Sequence, residues 1–149
     1  MTGGRLARVL KYVQGDAFCL TFGDGVSNVD ITASIAFHRA HGKLATVTGV
    51  YPPRRFGALD IVVTAASDSM KSSRARAALS AGVVLSPKVG LYLENDEMVW
   101  EQAPMRRLAA KCELCAFHHK GFFQPMDTQR DHTCLEQVWA SGYAPWRCW

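Results

Sequence analysis

Cys19-Leu20-Thr21-Phe22-Gly23-Asp24-Gly25-Val26 is the stretch whose reading decides the fold. An apolar run ends in a carboxylate held between two glycines. Phe18 to Phe22 predicts a short buried strand, and Gly23-Asp24-Gly25 the turn that stops it. A helix-length stretch follows, and then a second apolar run from Leu44 to Val50. Strand, helix and strand in that order form the unit of a parallel sheet. Ligands of open α/β sheets sit outside the carboxyl ends of the strands. Asp24 falls there, between glycines that let a phosphate or sugar approach the backbone. Two readings of Asp24 stand. It shares a hard divalent cation with a phosphate oxygen, or it is a turn Asp that hydrogen-bonds its own loop.

Upstream, Leu6, Val9, Leu10 and Val13 recur at helical spacing, which predicts an amphipathic helix ending near Gly15. Nothing resembling a domain entrance precedes it, so residues 1–4 read as the interior of something longer. Downstream, Val29, Ala33, Ala36, Phe37 and Ala40 mark one face of a second helix, with Asn28 or Asp30 as its cap and Gly42 as its end. Leu44 to Val50 is rich in β-branched residues and predicts a strand, stopped by Tyr51-Pro52-Pro53. Phe56 to Val63 reads as another strand. Thr64 to Ala81 is rich in Ala, Ser and Arg with little apolar periodicity, and reads as a weak helix or a loop. Val83 to Leu85 resumes strand character. Pro104 to Ala110 predicts a helix with proline in its first turn. Leu114 to His118 predicts a strand, and Asp131 to Ser141 a last helix with Leu135, Val138 and Trp139 inward and Gly142 stopping it. Trp139, Trp146 and Trp149 read as a packing cluster.

A chain of 149 residues fits one domain and can bury a core. The net charge of +4 is mild, and no basic stripe is interleaved with aromatics, which argues against a nucleic-acid partner. Arg54-Arg55 and Arg106-Arg107 read as solvated faces. No apolar run approaches the roughly 20 residues of a membrane span, and no signal-peptide core is present. Five cysteines, odd in number and unevenly placed, read as cytosolic thiols rather than a disulfide framework. The expected location is cytoplasmic.

Cys112-x-x-Cys115 followed by His118-His119 resembles a zinc cluster. An extended strand would turn alternate residues to opposite sides, so the set reads instead as buried or incidental thiols. His38, His41 and His132 have no obvious nucleophile partner and read as surface or helix-face residues. Gly121-Phe122-Phe123-Gln124-Pro125-Met126-Asp127-Thr128 repeats the pattern of a carboxylate after an apolar segment. Asp127 alone reads more naturally as a helix cap. Paired with Asp24 in one crevice it makes a two-carboxylate cation site.

Several of these blocks together resemble a known family. Phe22-Gly23-Asp24-Gly25-Val26-Ser27-Asn28-Val29-Asp30, Pro52-Pro53-Arg54-Arg55-Phe56-Gly57-Ala58-Leu59-Asp60 and Val99-Trp100-Glu101-Gln102-Ala103-Pro104 are three of them. Phe123-Gln124-Pro125-Met126-Asp127-Thr128 and Trp139-Ala140-Ser141-Gly142-Tyr143-Ala144-Pro145-Trp146 follow in the same order. The chain resembles the glucose-1-phosphate cytidylyltransferases, which are sugar-nucleotide pyrophosphorylases. The resemblance implies an α/β, Rossmann-like mixed sheet of the nucleotide-sugar transferase type, incomplete at the N-terminus, with residues 1–149 as the larger, C-terminal part of one domain. It implies conversion of CTP and glucose 1-phosphate to CDP-glucose and pyrophosphate with Mg²⁺ as cofactor, feeding deoxysugar synthesis for surface polysaccharide. It puts metal aspartates at Asp24 and Asp127 and lays Thr2-Gly3-Gly4 against the nucleotide. A homo-oligomer is left open.

Two departures accompany the resemblance. The family's glycine-rich phosphate loop has no counterpart here, which raises the alternative of a catalytically inactive fragment. Residues 64–81 lack the family's Gly-Phe-x-Glu-Lys-Pro segment and the Trp-Ile-Asn-x-Gly-Phe segment that follows it. That aberrant stretch is expected to be a frameshift product, because Asp68-Ser69-Met70-Lys71, read one nucleotide earlier, can encode Gly-Phe-His-Glu.

Overall fold

The computed structural model describes residues 1–50 and 82–147. The strand expected at Phe56 to Val63, its flanking prolines, the aberrant stretch and Trp149 lie outside the described residues.

Six strands and four helices are described, in the order α1 (Thr2–Leu10), β1 (Phe18–Leu20), β2 (Gly25–Ser27), α2 (Ile31–His41), β3 (Ala45–Val50), β4 (Val83–Leu85), α3 (Ala103–Ala110), β5 (Leu114–His119), β6 (Phe123–Pro125) and α4 (Gln129–Ala140). A 3-10 helix, Pro87–Tyr92, lies between β4 and α3. The main sheet has the order β1-β4-β3-β5, and β2 and β6 form a separate antiparallel ladder.

The sheet is mixed. β4 runs antiparallel to both β1 and β3, while β3 and β5 are parallel. The expected strand-helix-strand unit therefore needs a correction. β1 and β3 do run in the same direction, but β4 is inserted between them. The inserted strand comes from a distant part of the sequence, and local pattern carries no trace of such a pairing.

Alternation along β3 sorts the two faces of the sheet. Ala45 pairs with Leu85 and Leu114, and Val47 with Val83 and Ala116. This face joins Leu6 of α1, Val89, Trp100, and Met105 and Leu108 of α3 in the main core. Thr46 pairs with Val84 and Cys115 on the opposite face, where α2 packs.

Local chemistry sets the helix ends. Asp30 caps α2 by accepting the Ala33 N–H at 2.8 Å, and Gly42 ends it at φ 66°. Proline sits in the first turn of α3, where its missing N–H costs nothing. Beyond α3 the Glu113 N–H reaches back to Leu108 O at 2.8 Å and the Cys112 N–H to Ala109 O at 3.0 Å. This is a Schellman closure with Cys112 in the left-handed position at φ 56°, where glycine is usual.

Three expectations about helices are revised. α1 ends at Leu10 rather than near Gly15, and Val9 faces solvent. In α2 the buried residues are Ser34 and His38, while Ala36, Phe37 and Ala40 are exposed. The helix lies over Thr46, so its inward stripe is the polar one. Trp139 is 49% exposed, with the Arg147 guanidinium 5.6 Å from its ring, while Trp146 packs against Phe122 at 5.3 Å.

Candidate functional site

The two carboxylates singled out in the sequence both lie beside the β2–β6 ladder. Gly25 pairs with Pro125, Val26 with Gln124 and Ser27 with Phe123. One step further, the Met126 N–H donates to Asp24 O at 2.6 Å. Asp24 and Asp127 therefore flank the same end of one short ladder, both exposed. In a continuing ladder Asp24 would oppose Met126, and Asp127 would oppose Gly23 on the other face. The chain turns at Gly23-Asp24 instead, so the alternation stops there.

The bland readings of both residues lose their basis. Thr128, not Asp127, caps α4, in a capping box closed by Asp131. Among the described residues neither the Asp24 nor the Asp127 side chain accepts a hydrogen bond from its own loop.

Exposed carboxylates are the donor type that a magnesium-type ion takes. Such a cation keeps several waters and takes one or two carboxylates plus substrate phosphates, rather than an all-protein cage. Among the described residues no three His, Cys, Asp or Glu side chains gather for a metal. The Cys112, Cys115, His118 and His119 set is scattered accordingly. Cys112 is an exposed helix-end residue, Cys115 is buried in β5, His118 is exposed and His119 bonds Phe122 O. Cys19 and Cys134 are also free thiols.

Thr2-Gly3-Gly4 forms the first turn of α1 against the 96–101 segment. The Thr2 hydroxyl donates to Glu101 Oε2 at 2.8 Å and accepts the Trp100 N–H at 2.9 Å. The Gly3 N–H donates to Met98 O at 2.9 Å. A Cβ on Gly4 would lie 2.3 Å from Asp96 O, so close backbone approach requires that glycine. Thr2 is exposed; Gly3 and Gly4 are buried.

The sequence reading missed a buried polar group. His38 is 4% exposed rather than a surface residue. The Lys43 N–H donates to His41 Nδ1 at 3.0 Å, which leaves the His41 proton on Nε2 to donate to Thr46 Oγ1 at 2.7 Å. The Thr46 hydroxyl then donates to His38 Nδ1 at 2.8 Å. Burial holds His38 below its ordinary pKa, with His41 adding to the effect. Burial and then Lys43 do the same to His41. Both shifts favour the neutral rings. Nothing in the spacing of His38 and His41 foretold this, because the shared partner is on another element.

No family model matches the chain. Glucose-1-phosphate cytidylyltransferase of Salmonella typhi is 50% identical over 152 residues, covering 100% of this chain and 59% of the relative. The Salmonella typhimurium enzyme of the same name matches to the same extent. Among solved structures, HddC from Yersinia pseudotuberculosis superposes with a TM-score of 0.70 at 20% identity, covering 93% of this chain and 62% of that one. An apo UDP-glucose pyrophosphorylase superposes at 0.66 and 10% identity, covering 94% and 60%. The chain shares the fold of these two structures. Over its whole length, and over 59% of theirs, the chain is homologous to the glucose-1-phosphate cytidylyltransferases.

Proposed function

We propose that the chain belongs to a nucleotidyltransferase that converts CTP and glucose 1-phosphate to CDP-glucose and pyrophosphate, with residues 1–149 as the larger part of one domain. The observation that carries this reading is the shared position of Asp24 and Asp127 at one end of the β2–β6 ladder, neither consumed as a cap or loop acceptor.

The sugar phosphate oxygen attacks the α-phosphorus of CTP in line. The bond to the bridging oxygen breaks, and its electron pair leaves with pyrophosphate. Catalysis of this kind rests on positioning and on charge neutralisation. Asp24 and Asp127 would hold Mg²⁺, which when bound supplies positive charge beside the phosphates. Oxygen ligands favour Mg²⁺ or Mn²⁺ over zinc. Thr2 is the exposed member of the segment proposed to face the nucleotide, and buried Gly3 and Gly4 seat it on 96–98. A cytoplasmic location fits these substrates. No helix among the described residues is long and apolar enough to cross a membrane.

The test is pyrophosphate release from CTP, glucose 1-phosphate and Mg²⁺. It uses the chain alone and the chain supplemented with the part of the Salmonella typhi relative outside the match. Asp24→Asn and Asp127→Asn are each expected to lower release about 10²–10³-fold. Release equal to the parent in both variants overturns the assignment of the site. No release in either preparation favours a catalytically inactive fragment.

A further inference from the structure

The end of the ladder remote from Asp24 is fastened by a side chain that sequence reading weighed only as a helix cap. Asn28 follows β2, and Phe122 precedes β6. The Asn28 Oδ1 accepts the Phe122 N–H at 2.7 Å, and the Asn28 N–H donates to Phe122 O at 3.2 Å. His119 Nε2 donates to the same carbonyl at 3.2 Å. The Phe122 ring packs on Trp146. Gly121 leaves the space this requires, since a Cβ there would lie 2.4 Å from Asn28 Oδ1 and 2.6 Å from His119 Cε1.

Position gives this clasp its importance. Residues 120–122 join β5 of the main sheet to β6 of the ladder. The ladder has three residue pairs, too few to hold register unaided. A slip of one residue would shift one carboxylate past the other by about 3.3 Å. Asn28 lies four positions along the strand from Asp24, about 13 Å at that rise, so it does not reach a cation there. It acts through the ladder.

We propose that Asn28 is a positioning residue for the Asp24–Asp127 cation site, locking the register and seating of the ladder that carries both carboxylates. The inference rests on the cation reading above. The probe is Mn²⁺ alone, titrated into the full chain and its Asn28→Ala, Asn28→Asp and Asp24→Asn variants at a temperature where all are folded. Amide hydrogen exchange is followed at Met126 and along β3. Asn28→Ala is expected to weaken Mn²⁺ binding about 10-fold or more and to speed exchange at Met126 while β3 keeps its protection. Asn28→Asp retains the Oδ acceptor and is expected to restore both. If Asp24→Asn abolishes Mn²⁺ binding while Asn28→Ala leaves affinity and Met126 exchange unchanged, the Asn28 inference alone is overturned. If Mn²⁺ binding ignores Asp24→Asn, the cation reading fails and the role of Asn28 toward it falls as well.

Discussion

The two faces of the central sheet are built from the same strands, but only one of them buries a hydrogen-bonded polar group. On one face Ala45, Val47, Val83, Leu85 and Leu114 meet Leu6, Val89, Trp100, Met105 and Leu108. On the other, Thr46 lies under α2 and holds His38 and His41, and buried Thr48 shares that side of the sheet with buried Val50, Val84 and Cys115. Apolar burial is non-directional and scales with area. Buried polar groups gain only when every partner is present, and cost heavily when one is missing. The first face therefore carries most of the stability. The second fixes how α2 sits.

The largest expected effect is on the apolar face. Trp100 is 1% exposed, and Trp100→Ala is expected to cost about 3–5 kcal/mol in urea unfolding. On the polar face Thr46→Val leaves two histidines without their shared hydroxyl, for an expected loss of about 1–3 kcal/mol. Losses of equal size would break the comparison.

Acid sharpens it. His38 and His41 have pKa values lowered in the folded chain, so the unfolded chain binds their protons first. Their contribution is fully present above about pH 6.5 and is lost as pH falls below that value toward the folded pKa. The slope is at most about 1.4 kcal/mol per pH unit for each ring. Denaturation midpoints of the parent and a His38→Gln/His41→Gln variant, measured between pH 7.5 and 5.5, isolate it. Parallel curves would remove the polar face as an acid-sensitive element.

The smallest effect lies at the seam. Cys112 ends the apolar-face helix α3, and its carbonyl accepts Lys43 Nζ at 2.6 Å from the loop after α2. A left-handed backbone costs an L-residue about 1–2 kcal/mol, and glycine forfeits roughly half of the saving through chain entropy. Cys112→Gly is expected to stabilise by about 0.5 kcal/mol in thermal unfolding. A destabilised variant would mean that the thiol itself packs.

The sequence was most legible where chemistry is local. The Asp30 cap, the Gly42 stop, the proline in α3 and the β-branched strand at Ala45–Val50 all act within a few residues. Asp24 and Asp127 were legible as carboxylates beside apolar segments, but the β2–β6 pairing that puts them at one ladder end was not, because it joins segments far apart in the chain. The inward face of α2 was not legible. Periodicity assumes that apolar residues turn inward, whereas here the sheet beneath presents Thr46. Nor was the placement of β4, since strand neighbours are chosen across the whole chain. Asn28 reads locally as a cap candidate, and its real partner lies in β6's approach.

The same distant pairings govern when the fold can close. Thr2 waits for Glu101, 99 residues away; Asn28 waits for Phe122, 94 away; Lys43 waits for Cys112, 69 away. Contacts so remote place folding toward the slow end, in milliseconds to seconds. On the ribosome the delay is longer, roughly 5–20 s between synthesis of Thr2 and Glu101 at usual elongation rates. Through that interval Gly3, Gly4 and Leu6 exist without the segment that buries them.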